Sequence, residues 1–374
     1  MISRDEFVEA SIAHQLGDLS NVCLSTNLPA MNYAKSASSG MTVSWDHHRN
    51  TPDGHNGWLM ADRRLRKTGN KVNRAKVAGA LGQILDRRPS YDFLVDMADH
   101  RARNLVMENG HCAPVFCFNR KIGAHSGRIL WPLPEYQDLG SDEFLGGAEL
   151  REIPWAQKSP NVVWRGTAGN WGRLGKYGRG RPIRLYALLK KHKSGQLTLE
   201  ETQRTMMTME RQRFLFERYD DPRFDIGYTN FGDYDLDAEP LLQPFRKSRM
   251  ARADQCAFKY LAVLPGSDVG SNFYWVMNSS SLGLVMEHEF ESFASAHFKP
   301  WVHFVPFKKD LSDLNERLAW CDANQDACQK MIKRANEVCD LLADGTLRAE
   351  ILDEVVSTVG ARILYGNENQ VVGK

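Results

Sequence analysis

No stretch of this chain carries about 18 apolar residues in a row, which excludes a membrane-spanning helix on length. The first residues, Met1-Ile2-Ser3-Arg4-Asp5-Glu6, lack the apolar run of a secretory leader. The expectation is a cytoplasmic protein with no transmembrane segment, leaving peripheral membrane contact open. The seven cysteines (Cys23, Cys112, Cys117, Cys256, Cys321, Cys328, Cys339) are odd in number and scattered, with no CxxC pair. They read as reduced thiols rather than a disulfide framework or a zinc site. Neither a Gly-Lys-Ser/Thr phosphate loop nor a Gly-x-Ser-x-Gly nucleophile elbow occurs, and repeats and low-complexity tracts are missing. A formal charge of only +2 gives the whole protein no strong field for polyanions, so anion binding must come from local clusters.

What is present is an ordinary globular balance, 42% hydrophobic and 25% charged residues in 374, long enough for two domains. The first 70 residues read as loops and short elements. From Asn70, the spacing of Val72, Val77, Ala80, Leu81, Ile84 and Leu85 predicts a helix that Pro89 ends. Short apolar runs at 91–97 and 113–118 predict buried parallel strands. Asn161-Val162-Val163-Trp164 predicts another, followed by a Gly-rich basic loop and a helix from about Arg184. Strands at 258–264 and 282–286 enclose a turn at Pro265-Gly266-Ser267-Asp268 and a helix start at 271–277. The tail reads as helices around Leu318, Ala335 and Val355. Strands alternating with helices in two blocks, split near 157, predict an α/β protein of two doubly wound halves with a cleft between them.

Ligands of such sheets sit beyond the carboxyl ends of the strands, so the loops there are the candidate sites. From Arg165 to Arg184 run six basic residues (Arg165, Arg173, Lys176, Arg179, Arg181, Arg184) and no acid, interleaved with glycines. Glycine lets backbone approach a ligand and arginine forks bind phosphate oxygens, so an anionic ligand fits, as does a solvated basic loop. The turn Gly266 to Asn272 before a helix is either an anion site or an ordinary capped connection. Asp99, just past the strand ending at Met97, is either a general base or a solvated loop carboxylate. Asp233-Tyr234-Asp235-Leu236-Asp237 resembles a metal-binding acidic pair, but Ala238 stands where a calcium loop needs glycine, and a hydrated loop fits better. Asp46-His47-His48 reads as a polar loop, not a metal site.

The segment Phe298-Lys299-Pro300-Trp301-Val302-His303-Phe304-Val305-Pro306-Phe307, continuing through Asp310 to Leu314, closely resembles the signature of glycosyltransferase family 90. Cys256-Ala257-Phe258-Lys259-Tyr260-Leu261 is similar to that family's Lys-Tyr strand. Val163-Trp164-Arg165-Gly166-Thr167, after Pro154-Trp155, is similar to its Arg-Gly-Ser/Thr motif. The order and spacing agree over roughly residues 91–345.

The resemblance implies a GT-B architecture, two Rossmann-like domains facing each other across a cleft, with C-terminal helices. The implied division is 1–157 for the acceptor side, 158–345 for nucleotide-sugar binding, and a helix in 346–374 packing back on the first domain. It implies inverting, metal-independent transfer of glucose, xylose or galactose from a UDP-sugar co-substrate to a hydroxyl of a glycan such as lipopolysaccharide core or capsule. No metal or other cofactor is expected. By position, Asp99 matches the family's catalytic aspartate, Thr167 its donor-contacting Ser, and Arg181 or Arg184 its donor-contacting Arg. Val269, Gly270, Ser271, Asn272, Phe273 and Tyr274 match the donor loop, with Tyr274 where animal and fungal members carry an Arg for the diphosphate. Diphosphate binding is then expected from Arg165, beside Gly166, with Arg181, Arg184 and the helix start, while Glu289 matches an acid for donor hydroxyls. Trp155, Trp301 and Tyr274 are candidate stacking rings. Residues 1–90 are expected to shape the acceptor side. Two rivals stand beside this reading: a noncatalytic sugar-binding protein of the same fold, and a nucleic-acid-binding protein using the Arg165–Arg184 stretch. Nucleic acid is not the expected partner.

Overall fold

Five strands between residues 159 and 307 assemble into one parallel sheet. In space the order is Phe224–Asn230, Ser159–Thr167, Phe258–Val263, Leu282–Met286 and Val305–Phe307. This is a computed structural model. It describes residues 2–17, 19, 24–25, 42–46, 51–53, 58–61, 64–67, 72–91, 93–97, 112, 114–123, 127–134, 136–137, 141–169, 171–175, 180–230, 240–266 and 268–364. By internal packing the chain divides into two units, one of 1–144, 289–297 and 340–374, the other of 145–288 and 298–339.

In the second unit, sequence order against spatial order reads 2-1-3-4-5, the doubly wound arrangement whose switch point lies between strands 1 and 3. Those strands are Ser159–Thr167 and Phe258–Val263. Leu282–Met286 is buried along its whole length, as a strand covered on both faces must be. The edge strand Phe224–Asn230 follows a different rule. Phe224, Ile226, Gly227 and Tyr228 are buried, while Asp225 between them is half-buried. Helices Leu185–Lys193, Leu199–Met206 and Glu210–Arg218 connect the first strand to that edge. Thr198 and Glu201 close a capping box that starts the second of these, satisfying two end groups reciprocally. Leu314–Ala323 and Gln325–Ala343 supply the predicted helical tail and contribute Leu318, Cys321, Cys328 and Met331 to the sheet's core.

The first unit holds the sheet Thr51–Asp53, Thr42–Asp46, Phe93–Asp96, Val115–Cys117, Arg128–Leu130. Its last three strands are parallel, but Thr42–Asp46 pairs antiparallel with both neighbours. The layer is therefore mixed rather than wholly parallel. Thr42–Asp46 and Thr51–Asp53 follow too closely in sequence for the crossover a parallel pair needs. Helix Arg4–Leu16, started by a Ser3–Glu6 capping box, packs against helix Gly345–Ala361 and buries Phe7 on the His297 ring at 4.1 Å. Tyr91 donates to the carbonyl of Val356 at 2.9 Å, anchoring the same C-terminal helix beside the strand Phe93–Asp96.

No helix among the described residues is long and apolar enough to cross a membrane. Cys112, Cys117, Cys256, Cys321, Cys328 and Cys339 are buried free thiols, as their scatter implied. Burial pushes the Cys117 thiol up to about 12.

Candidate active site

The parallel sheet of the second unit brings two loops to its switch point, one after Thr167 and one after Val263. The first begins where the Trp164 indole lies along the strand. A methyl on Gly166 would sit 2.4 Å from that ring, so the indole alone already demands glycine there. Arg165, on the same strand, is spoken for. It donates to the carbonyl of Asp225 at 2.6 Å and to its carboxylate at 2.8 Å, and Lys247 meets that carboxylate at 2.6 Å. Burial alone would raise the Asp225 carboxyl, but hydrogen bonds from Lys247 and Arg165 outweigh it and hold it below the usual range. Arg165 therefore ties the strand Ser159–Thr167 to Phe224–Asn230, while its Nε has no hydrogen-bond partner among the described residues.

The Gly-rich basic stretch is a built hairpin. Trp171–Arg173 pairs antiparallel with Pro182–Arg184, and Leu174 donates to the carbonyl of Arg181 at 3.0 Å. Gly175 adopts φ 92° and a methyl on Gly180 would collide with the Leu174 carbonyl, so both glycines serve the turn. The Arg184 guanidinium stacks 4.7 Å from the Trp171 ring centre. Arg181 and Arg184 are exposed, so both stay available to an anionic ligand. Lys176 and Arg179 lie outside the described residues.

The second loop is tied down by its own side chains. The Asp268 carboxylate accepts from the Val269 amide at 2.7 Å, and Asn272 donates to the Ala262 carbonyl at 2.9 Å. A methyl on Gly270 would meet Val263 at 2.8 Å, which packs the loop onto the strand it leaves. The helix Phe273–Met277 is five residues long and buries all five. Phe273 and Tyr274 belong to an aromatic cluster with Phe298, at ring separations of 5.4 and 6.1 Å. These predicted donor contacts therefore have their rings in the core, and so short a helix offers little dipole for the anion role expected of its start. Ser271 is exposed at this end, and Val269 is half-buried.

One residue joins the two loops. Arg211, at the start of helix Glu210–Arg218, is 8% exposed. Its Nε donates to the Pro265 carbonyl at 3.0 Å. Its Nη1 donates to the Thr167 carbonyl and hydroxyl at 3.0 Å and to the Gly169 carbonyl at 3.4 Å. Gln212 beside it donates to the Ala168 carbonyl at 2.8 Å. Nothing in the sequence reading singled out Arg211. The available signal was an arginine on the buried face of a helix, together with Gln212, Phe214 and Leu215.

The other expected residues lie elsewhere. Glu289 belongs to the first unit, beside the strand Phe290–Ser292, where its carboxylate meets Lys121 at 2.8 Å with its side chain 58% exposed. Asp99 and the Asp233–Asp237 run lie outside the described residues. Trp155 donates to Gln325 at 2.8 Å and Trp301 stacks edge-on against Trp320 at 5.0 Å, both in the second unit. The signature segment that carries the resemblance is largely a turn. Trp301 and Leu311 take φ 62°, and Asp313 accepts from the Lys308 amide at 2.9 Å. Among the described residues no cluster of His, Cys, Asp or Glu could hold a metal ion.

The second unit is a doubly wound α/β sheet with two loops meeting at its switch point, where sheets of this order bind their ligands. Residues 147–343 match the sequence profile of Glycosyl transferase family 90, close to the limits of the second unit, and the chain belongs to that family. It is 24% identical over 270 residues to "Protein O-glucosyltransferase 1" of Rattus norvegicus, a region covering 68% of this chain and 58% of that protein. The human protein of the same name is 23% identical over the same shares. "O-glucosyltransferase LpsA" of Dichelobacter nodosus is 27% identical over 128 residues, 34% of this chain and 38% of that one. Asp99 lies outside the profile match.

Proposed function

We propose that this glycosyltransferase moves a hexose or pentose from a UDP-sugar to a hydroxyl of a glycan acceptor, with inversion and without a metal ion. The observation that carries the reading is the pair of switch-point loops in the matched unit, joined by Arg211 and flanked by exposed Arg181 and Arg184. The glucosyltransferase names of the relatives favour glucose as the sugar, and the bacterial one favours a lipopolysaccharide-type acceptor. A GT-B architecture and a cytoplasmic setting belong to the same reading, the latter supported by the unpaired thiols.

In this mechanism Asp99 accepts the proton of the acceptor hydroxyl as its oxygen attacks the anomeric carbon. The bond to the leaving diphosphate lengthens through an oxocarbenium-like transition state, by analogy with glycoside hydrolysis. Negative charge grows on the diphosphate, and preorganised cationic donors stabilise it; each such donor typically contributes about 3–4 kcal/mol. Arg181 and Arg184 are placed on an ordered hairpin for this, where a metal serves in other transferases.

Thermal-shift screening in EDTA against UDP, GDP, CMP and UDP-sugars tests the donor class. A rise in melting temperature with uridine nucleotides that Arg184→Ala reduces is expected. A shift that appears only with added metal, or with another nucleotide alone, would refute it.

A further inference from the structure

Arg211 is a buried cation held by neutral acceptors, with Glu210 and Asp268 acting on it only at a distance. Among the described residues no carboxylate forms an ion pair with it, and its partners are three carbonyls and one hydroxyl. Burial lowers its guanidinium to about 10, against the pull of Tyr228, Glu210 and Asp268, so it stays protonated at neutral pH. Holding an ion away from water costs several kcal/mol unless something compensates it. The neutral acceptors satisfy Nε and Nη1, while Nη2 has no hydrogen-bond partner among the described residues. Nη2 lies on the Gly266 backbone, where a methyl would sit 3.0 Å from it, so the absence of a side chain at 266 keeps that nitrogen uncovered. Its location is the switch point, between the two loops where such a sheet binds its ligand.

From a buried guanidinium with no direct ion pair among the described residues, its uncovered nitrogen and this position, we infer that Arg211 is a diphosphate-binding residue. Its Nη2 donates to a phosphate oxygen of the nucleotide donor while Nε and Nη1 hold the two loops at fixed spacing. The inference rests on the proposed UDP-sugar reading and adds to it a residue from a connecting helix. The same guanidinium that sets the loop geometry also senses whether the anion is present.

Isothermal titration calorimetry in EDTA, with UDP, uridine and inorganic pyrophosphate as separate probes, tests this on the full chain. Arg211→Met is expected to weaken UDP about 10–100-fold, the usual range for a charged hydrogen bond, while leaving uridine unchanged. Arg211→Lys is expected to restore part of the loss. Equal weakening of UDP and uridine, or no weakening, would overturn the inference and leave Arg211 a loop tie. Should Arg211→Met fail to fold, Gly266→Ala keeps the arginine and crowds Nη2. It is expected to weaken UDP several-fold without touching uridine, and unchanged UDP affinity would overturn the inference. Pyrophosphate binding that depends on Arg211 in a protein indifferent to UDP would uphold the anion site and refute the uridine donor. Binding of none of the probes by the wild type would overturn both.

Discussion

Two buried arginines, one in each unit, show what an internal counter-ion changes. Arg120 in the first unit is fully buried and meets Glu291 at 2.6 Å, then donates to the carbonyls of Gln15, Arg128 and His14. It cross-links the helix Arg4–Leu16, the strand Arg128–Leu130 and the strand Phe290–Ser292, and its charge is closed inside the protein. Arg211 in the second unit uses the same fork on the same kind of carbonyls, yet without a carboxylate. Lys158 is a third case, donating to the Cys256 carbonyl and the Ser281 hydroxyl with no acid paired to it. Burial lowers its ammonium to about 8, so it loses its proton only above neutral pH. Arg211, near 10, keeps its charge at neutral pH with Glu210 and Asp268 acting on it only at a distance, so a bound anion would add the direct pairing its neutral acceptors do not supply.

The contrast is sharpened by substitutions of decreasing effect. Glu291→Ala leaves Arg120 buried without its partner and is expected to cost about 3–5 kcal/mol in urea unfolding. A loss below about 1 kcal/mol would mean that the carbonyls alone suffice, and would weaken the argument for Arg211. Gly166→Ala forces a methyl into the Trp164 ring and is expected to cost about 1–3 kcal/mol, with a lowered melting temperature. A neutral result would return Gly166 to a ligand-approach role.

Two pH profiles follow. The folded pKa of Lys158 lies below its unfolded value of about 10.4, so the unfolded chain binds more protons between the two. Stability should therefore rise from about pH 8 toward pH 10 relative to Lys158→Met, and a flat difference would contradict the burial. Asp225 has the same sign in a lower pH window. Its folded pKa is depressed, so its contribution is present above the unfolded value of about 3.9 and lost as pH falls through the lower folded one. Chemical denaturation at pH 2–5 should show wild type losing its advantage over Asp225→Asn in that window; an unchanged difference would mean that Arg165 and Lys247 do not hold it.

Much of the second unit was legible in its sequence because its inner strands are unbroken apolar runs, as at Leu282–Met286. The family was legible because its motifs recur in order. The edge strand Phe224–Asn230 went unread, since Asp225 and Gly227 dilute a pattern that only alternation reveals. Side-chain roles were harder. Arg165 looked free until the parallel register set Asp225 beside it, and Tyr274 looked like a ligand contact until Phe298 closed on it. The glycines of the basic stretch suggested ligand approach, but Gly166 lies against the Trp164 ring, Gly175 takes φ 92° and Gly180 lies against the Leu174 carbonyl. Arg211 could not be found from local pattern, because its meaning arises from loops more than 40 residues away in sequence.

The most direct test of the account is steady-state UDP release from UDP-glucose in EDTA by wild type, Asp99→Asn and Arg211→Met. The account predicts turnover without metal, a loss of ~10²–10⁴-fold in Asp99→Asn at unchanged UDP affinity, and a loss in Arg211→Met accompanied by weaker UDP binding. Turnover that demands added metal, or that survives both substitutions, would contradict it.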